Sequence, residues 1–342
     1  MTNPGMLDLL VAGGGPAGLA TAIHAAQAGL HVVVAEPRPA PIDKACGEGL
    51  MPQGALALAA LGVRVTGQPL RGIRYLDPRC QAEARFDGAA GLGVRRTELH
   101  RALARRAEEL GVRVVPARVD GVRQDDEGVR AAGFRARYLA AADGLHSPTR
   151  RALGLGEPDL GPRRFGLRRH FLTVPWTDCV EVNWSPRAEA YVTPLGPDLV
   201  GVALLTTERG TFAQQLAGFP GLAERLRSSD AGPIRGAGPM RQRTRARVAG
   251  RVLLVGDAAG YVDALTGEGL SLALTGAAAL VGCVRADRPQ DYERAWLRAT
   301  RRHRLLTQAL LWTRHRPALA PHIVPTAARL PALFSALVNG LS

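Results

Sequence analysis

The sequence has almost no lysine and few cysteines. Lys44 is the only lysine among 44 basic residues in a chain of 342, a ratio more typical of a GC-rich genome than of a binding surface. The cysteines are far apart and show no paired spacing, so neither a disulfide framework nor a zinc site is predicted, and we expect no bound metal. They are Cys46, Cys80, Cys179 and Cys283.

Long hydrophobic runs are also missing. The longest apolar tract, Val252 to Val284, is interrupted by Asp257, Asp263 and Glu268, so it does not predict a membrane-spanning helix. No charged segment with a cleavage site separates Met1 from the first apolar run, as a secretory signal would require. We therefore expect a cytoplasmic protein, in agreement with the unpaired cysteines.

Acidic residues become scarce towards the C-terminus. The formal net charge is +14, and residues 285–342 hold ten arginines against three carboxylates, which is half of that excess. Such a basic tail suits nucleic acid, an anionic membrane surface or an acidic carrier protein. No nucleic-acid motif accompanies the arginines, so we expect no nucleic-acid binding and leave the other two partners open.

The most informative segment lies at the start of the chain. An apolar run, Leu7–Ala12, leads directly into Gly13, Gly15 and Gly18, and an alanine-rich stretch follows. This order predicts a strand, a tight turn and a helix whose first N–H groups bind the pyrophosphate of a dinucleotide. Glu36 ends the next apolar run, where a carboxylate can accept the ribose hydroxyls. The segment predicts an adenine dinucleotide site without distinguishing FAD from NAD.

Alternating patterns within residues 164–206 predict an antiparallel sheet with one covered face, and a helix is expected over Phe212–Arg227. Further strands are expected at Val119–Val122, Tyr138–Ala142 and Arg251–Val255. The two sheets are therefore interleaved along the chain. We expect an α/β fold with a Rossmann-like nucleotide lobe in residues 1–70, 91–155 and 245–285, an antiparallel substrate lobe in residues 71–90 and 156–244, and a helical tail in residues 286–342.

Three separated motifs together resemble the FAD-dependent aromatic hydroxylase superfamily. They are the opening glycine motif with Glu36, the segment Ala142-Asp143-Gly144 with Ser147 and Arg150, and Gly256-Asp257-Ala258-Ala259. Their order and spacing match the family over about residues 7 to 284. The resemblance implies a glutathione reductase-type FAD fold, with FAD as the cofactor and NADH or NADPH as the reductant.

The family's cofactor contacts carry over to matching positions of this chain. The resemblance implies that Asp257 binds the ribityl hydroxyls, that Asp143 supports FAD and NAD(P)H binding, and that Arg96 lies against the diphosphate and ribityl chain. It also places the flavin ring at the mouth of a helix that starts near residue 270, whose N–H groups would face the ring. The implied cofactor residues are Gly13, Gly15, Ala17, Gly18, Glu36, Arg38, Arg96, Val119, Asp143, Asp257, Gly267, Gly269 and Leu270.

Within the superfamily, two segments resemble the geranylgeranyl reductase-type branch, which also includes FAD-dependent monooxygenases. These segments are Lys44–Leu50 and Thr266–Leu270. Two positions depart from the reductase pattern: the strand motif Tyr191-Val192-Thr193-Pro194 has no tryptophan, and Ala264 replaces a proline. The two-tryptophan motif of flavin halogenases is missing, which disfavours that activity.

Several side chains are candidates for the substrate pocket, and each has a simpler explanation. A cysteine can contact the flavin or be an ordinary buried thiol, loop carboxylates can move protons or cap helices, and polar residues on the sheet can face a pocket or only pack. The candidates are Cys46, Glu48, Arg168, His170, Tyr191 and Glu268.

The preferred function on sequence grounds is NAD(P)H-dependent monooxygenation, with O2, of an aromatic or unsaturated hydrophobic small molecule, a chemistry of secondary metabolism. No side-chain nucleophile is required, because the flavin performs the redox chemistry. One alternative is a geranylgeranyl reductase-like saturation of isoprenoid double bonds. The other is a flavoprotein that docks to a carrier protein or a membrane through its basic tail.

Overall fold

The computed structural model describes residues 5–159 and 161–340. Within these residues the strands, in chain order, are β1 (Leu7–Ala12), β2 (Val32–Ala35), β3 (Gly49–Leu50), β4 (Gln68–Leu70), β5 (Gly72–Leu76), β6 (Gln81–Arg85), β7 (Gly91–Gly93), β8 (Arg113–Val115), β9 (Arg123–Gln124), β10 (Val129–Ala131), β11 (Phe134–Ala141), β12 (Gly156–Glu157), β13 (Phe165–Leu172), β14 (Cys179–Trp184), β15 (Ala188–Gly196), β16 (Leu199–Thr206), β17 (Asp230–Ala231), β18 (Arg235–Ala237), β19 (Arg243–Thr244), β20 (Val248–Ala249) and β21 (Val252–Leu254).

The helices are α1 (Pro16–Gln27), α2 (Pro52–Ala60), α3 (Arg96–Glu109), α4 (Pro148–Ala152), α5 (Phe212–Leu216), α6 (Pro220–Arg225), α7 (Gly269–Arg285), α8 (Tyr292–Arg314), α9 (Ile323–Arg329) and α10 (Pro331–Asn339). Short 3-10 turns cover Gly256–Ala259, Pro289–Asp291 and Ala320–His322. In the part of the chain that the structure describes, no helix is both long and apolar enough to span a membrane.

The first sheet is the predicted nucleotide-binding sheet. Its strand order is β20-β21-β11-β1-β2-β8, with β9 and β10 added beside β11. The pairings of β1 with β2 and β11, of β11 with β21 and of β2 with β8 are all parallel. In β1, Leu9, Leu10 and Val11 are each 0% exposed, as expected for a sheet covered on both faces.

The parallel pairing determines where the three sequence motifs meet. Strands β1, β11 and β21 are neighbours, and their carboxyl ends lie at the same edge of the sheet. Gly13 follows the first of these strands, Asp143 follows the second and Gly256 follows the third. Segments more than a hundred residues apart in sequence therefore lie side by side.

The second sheet is mostly antiparallel, in the order β17-β13-β16-β15-β14-β5-β6, with β18 paired to β13. Strands β5 and β6 join it from an earlier part of the chain, through a parallel pairing between β5 and β14. The two sheets are thus interleaved in sequence. The α/β fold with a Rossmann-like lobe and an antiparallel lobe is confirmed.

The C-terminal helices pack onto both lobes. Helix α8 lies against α7, whereas α9 and α10 lie against the edge strand β6. Phe334 and Val338 of α10 are buried against Ala82 and Ala84 of that strand. Pro317 follows α8 and Pro331 begins α10, so prolines divide this region into short helices.

Two predicted elements differ in the structure. Val119–Val122 is not a strand; the chain bends through it because Gly121 has a φ of +63°, and the ladder resumes only at β9. Phe212–Arg227 is not one helix but two, α5 and α6. Pro220 has no N–H to donate and disfavours helical geometry at Phe219, whose φ of −130° and ψ of 72° separate the two helices.

A substitution of Gly18 tests how closely the glycine turn packs against α1. A Cβ atom there would lie 1.8 Å from the carbonyl oxygen of Gly13. We expect Gly18→Ala to lower the free energy of unfolding by about 1–3 kcal/mol or more, because the turn and α1 must separate. The matched control is Gly282→Ala in α7, because a Cβ atom there would have open space. This substitution should stabilise the protein by about 0.5–1 kcal/mol, since alanine is favoured over glycine inside a helix. Equal denaturation midpoints for the two variants would contradict this packing argument.

Candidate functional site

A cavity of about 680 Å³ lies where the three motifs meet and extends to the face of the second sheet. It brings together most of the residues for which the sequence predicts cofactor contacts. Those that line it are Gly15, Ala17, Arg38, Arg96, Asp143, Asp257, Gly267, Gly269 and Leu270. Gly13, Gly18, Glu36 and Val119 are not part of its wall.

The glycine turn presents free backbone N–H groups to the cavity. Gly15 is the N-cap of α1, Pro16 follows at the first helical position, and no side chain caps the helix. A Cβ at Gly15 would have only an Arg96 nitrogen nearby, at 3.9 Å. Gly13 and Gly18 instead shape the turn from behind; the φ of Gly13 is +104°. The helix start can therefore accept an anion.

One buried cation, Arg96, faces this helix start. It is 6% exposed and its Nη1 has no hydrogen-bond partner among the described residues. Burial lowers the pKa of Arg96. Lys44, an exposed residue, also lines the cavity, and sequence reasoning did not select it, although its being the only lysine was a usable signal. An unpartnered buried cation beside a helix N-terminus fits a diphosphate group.

Arg150 links the second and third motifs. Its Nη1 donates to the carbonyl oxygens of Asp257 and Ala258, each at 3.1 Å, and its Nη2 donates to that of Leu145 at 2.7 Å. This fork holds the Asp257 carboxylate at the cavity wall, and burial raises the pKa of that carboxyl. The Asp143 carboxylate accepts the Thr149 N–H at 2.9 Å through one oxygen, while its other oxygen has no partner among the described residues.

The Glu36 carboxylate, which the sequence predicts to accept ribose hydroxyls, already accepts hydrogen bonds from the protein. One oxygen accepts from the backbone N–H of Arg38 at 2.9 Å and from Arg38 Nε at 2.7 Å; the other accepts from Gly14 N–H and Arg38 Nη2, both at 2.8 Å. Despite burial, these donors hold the pKa of Glu36 below its usual range. Ribose hydroxyls would have to replace the exposed Arg38 side chain. Val119, another predicted contact, lies outside the wall of this cavity.

Glu48 is the most constrained residue of the pocket. It has a φ of +60°, is 1% exposed and lies between two glycines. One carboxylate oxygen accepts the backbone N–H of Arg96 at 2.8 Å and so caps α3, while the other is 2.6 Å from His170 Nε2. Arg168 lies 3.3 Å from His170 Nδ1, and an arginine can only donate. His170 therefore donates from Nε2 to the Glu48 carboxyl group.

Arg168 attaches the loop before Glu48 to the second sheet. It forms a partly buried ion pair with Asp43, and it donates to the carbonyl oxygen of Lys44 at 3.3 Å. Burial acts to raise the pKa of Asp43, but the charges of Arg168 and Arg235 hold it below its usual range. Arg168 lines the cavity and His170 contacts Glu48, so these two residues of β13 mainly position this loop.

The remaining pocket candidates divide between the cavity wall and its surroundings. Tyr191 lines the cavity, and its hydroxyl donates to the carbonyl oxygen of Leu265 at 2.6 Å, which holds the segment before α7. Cys46 also lines the cavity, and burial raises the pKa of its thiol, so the thiol stays protonated at neutral pH. Glu268 is absent from this wall and lines a separate cavity instead.

These residues fit the groups of FAD. Free N–H groups and the unpartnered Arg96 guanidinium meet at one end of the cavity, and Asp257 and the glycines at the start of α7 also line it. The ion-paired loop before Glu48 could be found only in three dimensions, because its partners come from β13 and α3.

Comparisons with known proteins agree with this geometry. Residues 6–167 match the protein family described as FAD binding domain. The menaquinone reductase of Mycobacterium tuberculosis is 30% identical over 78% of this chain and 74% of its own. Digeranylgeranylglycerophospholipid reductase 1 of Methanopyrus kandleri is 31% identical over 78% of this chain and 77% of its own. The aurachin C monooxygenase/isomerase of Stigmatella aurantiaca is 28% identical, covering 81% and 80%.

Solved structures share the fold. A flavoprotein/dehydrogenase from Cytophaga hutchinsonii superposes with a TM-score of 0.80 at 20% identity, over 98% of this chain and 93% of that one. A flavin-dependent brominase also has a TM-score of 0.80, at 17% identity, over 98% of this chain and 94% of that one. At these identities the likeness extends to the fold alone, and the halogenase motif remains missing from the sequence.

Arg96 is the residue whose removal tests the anion site most directly. We expect Arg96→Ala to weaken FAD binding about 10- to 100-fold, since a hydrogen bond to a charged group contributes about 1.5–3 kcal/mol. Arg95→Ala is the matched control, because it removes the same charge from the neighbouring exposed position. Flavin fluorescence during titration of the apoprotein gives both dissociation constants. Similar affinities for the two variants would place Arg96 outside the FAD site.

Proposed function

This chain belongs to the FAD-dependent aromatic hydroxylase superfamily, and we propose that it is an NAD(P)H-dependent FAD oxidoreductase that saturates a double bond in a hydrophobic, isoprenoid-like molecule. The observation that carries the proposal is one continuous cavity. It runs from the predicted diphosphate site at the start of α1 to an apolar surface on the second sheet.

The far part of the cavity is suited to an apolar substrate. Its wall is built from aliphatic, methionine and tyrosine side chains of the sheet and the adjoining loops, which favour burial of a hydrocarbon group. These residues are Met51, Leu167, Val180, Tyr191, Ala203, Leu205 and Met240.

FAD would supply the two-electron chemistry, accepting a hydride from NAD(P)H and passing it to an unsaturated carbon. The balanced reaction also consumes one proton, which must enter the new C–H bond. The protonated Cys46 thiol lies on the cavity wall and can hold that proton at Sγ. Glu48 and Arg168 hold the loop that carries Cys46, and Tyr191 fixes the segment leading to α7. The residues of this chain thus bind and orient the cofactor and the substrate, and they exclude water.

Monooxygenation is the second candidate, and sequence patterns alone favoured it. A relative that is a monooxygenase/isomerase, at 28% identity, keeps it open. The two relatives at 30% and 31% identity are reductases, and we therefore place double-bond saturation first. Both reactions use the same cofactor and the same cavity, so the choice between them rests on the fate of O2.

Oxygen dependence separates the two reactions. We expect the purified holoprotein to oxidise NADPH or NADH under anaerobic conditions when a polyprenyl compound is present, forming a saturated product in equal amount. Mass spectrometry should show the addition of two hydrogen atoms and no oxygen. The control is the same mixture without the polyprenyl compound. Product formation that requires O2 and consumes it stoichiometrically would instead establish the monooxygenase.

The C-terminal region supports a second proposal, that the protein docks onto an anionic lipid surface. Seven of the twelve large apolar side chains exposed in the described residues lie between positions 297 and 337. They are Leu297, Leu305, Trp312, Leu319, Leu330, Leu333 and Leu337. Exposed arginines accompany them on α8, and the guanidinium of Arg316 stacks 3.4 Å from the Trp312 ring centroid. Exposed apolar and arginine side chains together complement anionic lipid headgroups.

Vesicle sedimentation tests this surface. We expect the protein to sediment with phosphatidylglycerol vesicles and to lose most of that binding when Leu330, Leu333 and Leu337 are all changed to serine. The matched control changes Leu172, Val174 and Ile234, which are equally exposed on the second sheet and its loops. Undiminished sedimentation of the first variant would exclude α10 from lipid contact. Binding to an acidic carrier protein without binding to the vesicles would favour the carrier protein as the partner.

A further inference from the structure

A second cavity of about 310 Å³ lies behind the start of α7. It is enclosed by the segment that follows β21, by the first turns of α7 and by α8. Gly256, Asp257, Tyr261, Gly269 and Ala273 line both this cavity and the large one. Only these residues and the loop between them separate the two cavities.

The second cavity is polar, and several of its buried atoms lack protein partners. Thr244 Oγ1, Glu268 Oε2 and His303 Nδ1 line it, and none of them has a hydrogen-bond partner among the described residues. Buried polar groups that the protein leaves unpaired are normally satisfied by water, and this cavity has room for several water molecules. We refer to it as the polar cavity.

Glu268 lies at the boundary between the two cavities. It is 3% exposed, its side chain lines the polar cavity, and its neighbours Gly267 and Gly269 line the large cavity. Burial raises the pKa of Glu268 to about 8. The Glu268 carboxyl therefore changes its protonation state close to physiological pH.

Other ionisable groups face the polar cavity from each surrounding element. They are Glu157 of β12, Arg241, Arg243 and Arg247 around β19, Asp257, Tyr261 and Asp263 after β21, and His303 and Arg304 of α8. Several are already engaged: Arg247 pairs with Glu293, Arg243 with Glu157 and Asp263 with Arg164. Glu268 has no ion pair among the described residues, which leaves its charge free to respond to the start of α7.

We propose that Glu268 is a proton-exchanging residue that takes up a proton from the polar cavity when the cofactor at the start of α7 is reduced. This inference rests on the proposed function, which places FAD there. A proton from water in the polar cavity joins the Glu268 carboxylate to form the neutral acid. The two electrons pass from the reductant to the flavin, and none pass through Glu268. Added negative charge at the flavin favours the neutral acid by Coulomb repulsion.

The role of Glu268 does not depend on which reaction the large cavity performs. Saturation of a double bond and monooxygenation by NAD(P)H each consume one proton per turnover. At the start of α7 the large cavity is lined by Gly267, Gly269 and Leu270, which have no acidic side chain. A carboxyl with water on its far side can supply protons to this end without opening the apolar part of the cavity to solvent.

The midpoint potential of bound FAD, measured from pH 6 to pH 10, tests the proposal without substrate or turnover. We plot the midpoint potential against pH and call the part of this profile that starts near pH 8 the proton-coupled segment. In this segment the wild type should take up one more proton per two electrons than Glu268→Gln does. Glu157→Gln is the matched control, because it removes an exposed carboxylate at the edge of the same cavity and should keep that segment. Superimposable profiles for the wild type and Glu268→Gln would overturn the proposal.

Glu268→Asp provides a variant that keeps a carboxyl at this position. The proton-coupled segment should therefore be present in Glu268→Asp and missing from Glu268→Gln. Its absence from Glu268→Asp would count against Glu268, even if Glu268→Gln failed to fold. If NAD(P)H reduces the FAD and substrate is saturated while the profiles coincide, the proposed function stands and this inference falls. If the profiles differ but no substrate is turned over, this inference stands and the proposed function falls.

The stability of the protein gives an independent measurement. A carboxyl whose folded-state pKa is raised binds more protons in the folded chain than in the unfolded chain between its ordinary pKa and about pH 8. The free energy of unfolding should therefore fall as pH rises through this range, and less steeply in Glu268→Gln. Equal slopes for the two proteins in urea denaturation would show that Glu268 does not titrate as a buried acid.

Discussion

The parallel pairing of β1, β11 and β21 is the constraint on which the rest of the structure depends. It places the ends of three distant segments at one sheet edge, where Gly13, Asp143 and Gly256 follow the strands. Arg150 then joins two of these segments through backbone carbonyl oxygens. Because a parallel sheet aligns strand ends that are far apart in sequence, an extended dinucleotide can be contacted along its length from one surface.

Buried charges connect the two lobes around that surface. Glu48 accepts a hydrogen bond from the backbone of α3 and another from His170 of β13, while Arg168 pairs with Asp43. A second cluster has Arg164 between Glu189 and Asp263, and Arg314 of α8 also pairs with Glu189. Removing one member of such a pair leaves an uncompensated buried charge, so each cluster defines one arrangement of the lobes and the C-terminal helices.

The start of α7 separates an apolar environment from a polar one. On one side the large cavity presents glycine backbone and aliphatic side chains; on the other the polar cavity presents unpartnered oxygen and nitrogen atoms. This division places a water-free pocket next to a supply of protons. Cys46 and Glu268 both have a raised pKa, but they line different cavities. One faces the substrate space and the other faces the polar cavity.

The sequence by itself determined the α/β class and the opening strand, glycine turn and helix, because these depend on local patterns. Most of the residues expected along FAD came instead from the family resemblance of three motifs. Local patterns failed at Val119–Val122 and Phe212–Arg227, where one glycine and one proline outweighed the apolar residues. Only the tertiary structure decided that Arg38 occupies the Glu36 carboxylate, that Lys44 lines the cavity and that Glu268 faces away from it. Those outcomes depend on how side chains from separate elements pack and pair in three dimensions, and no spacing along the chain encodes them.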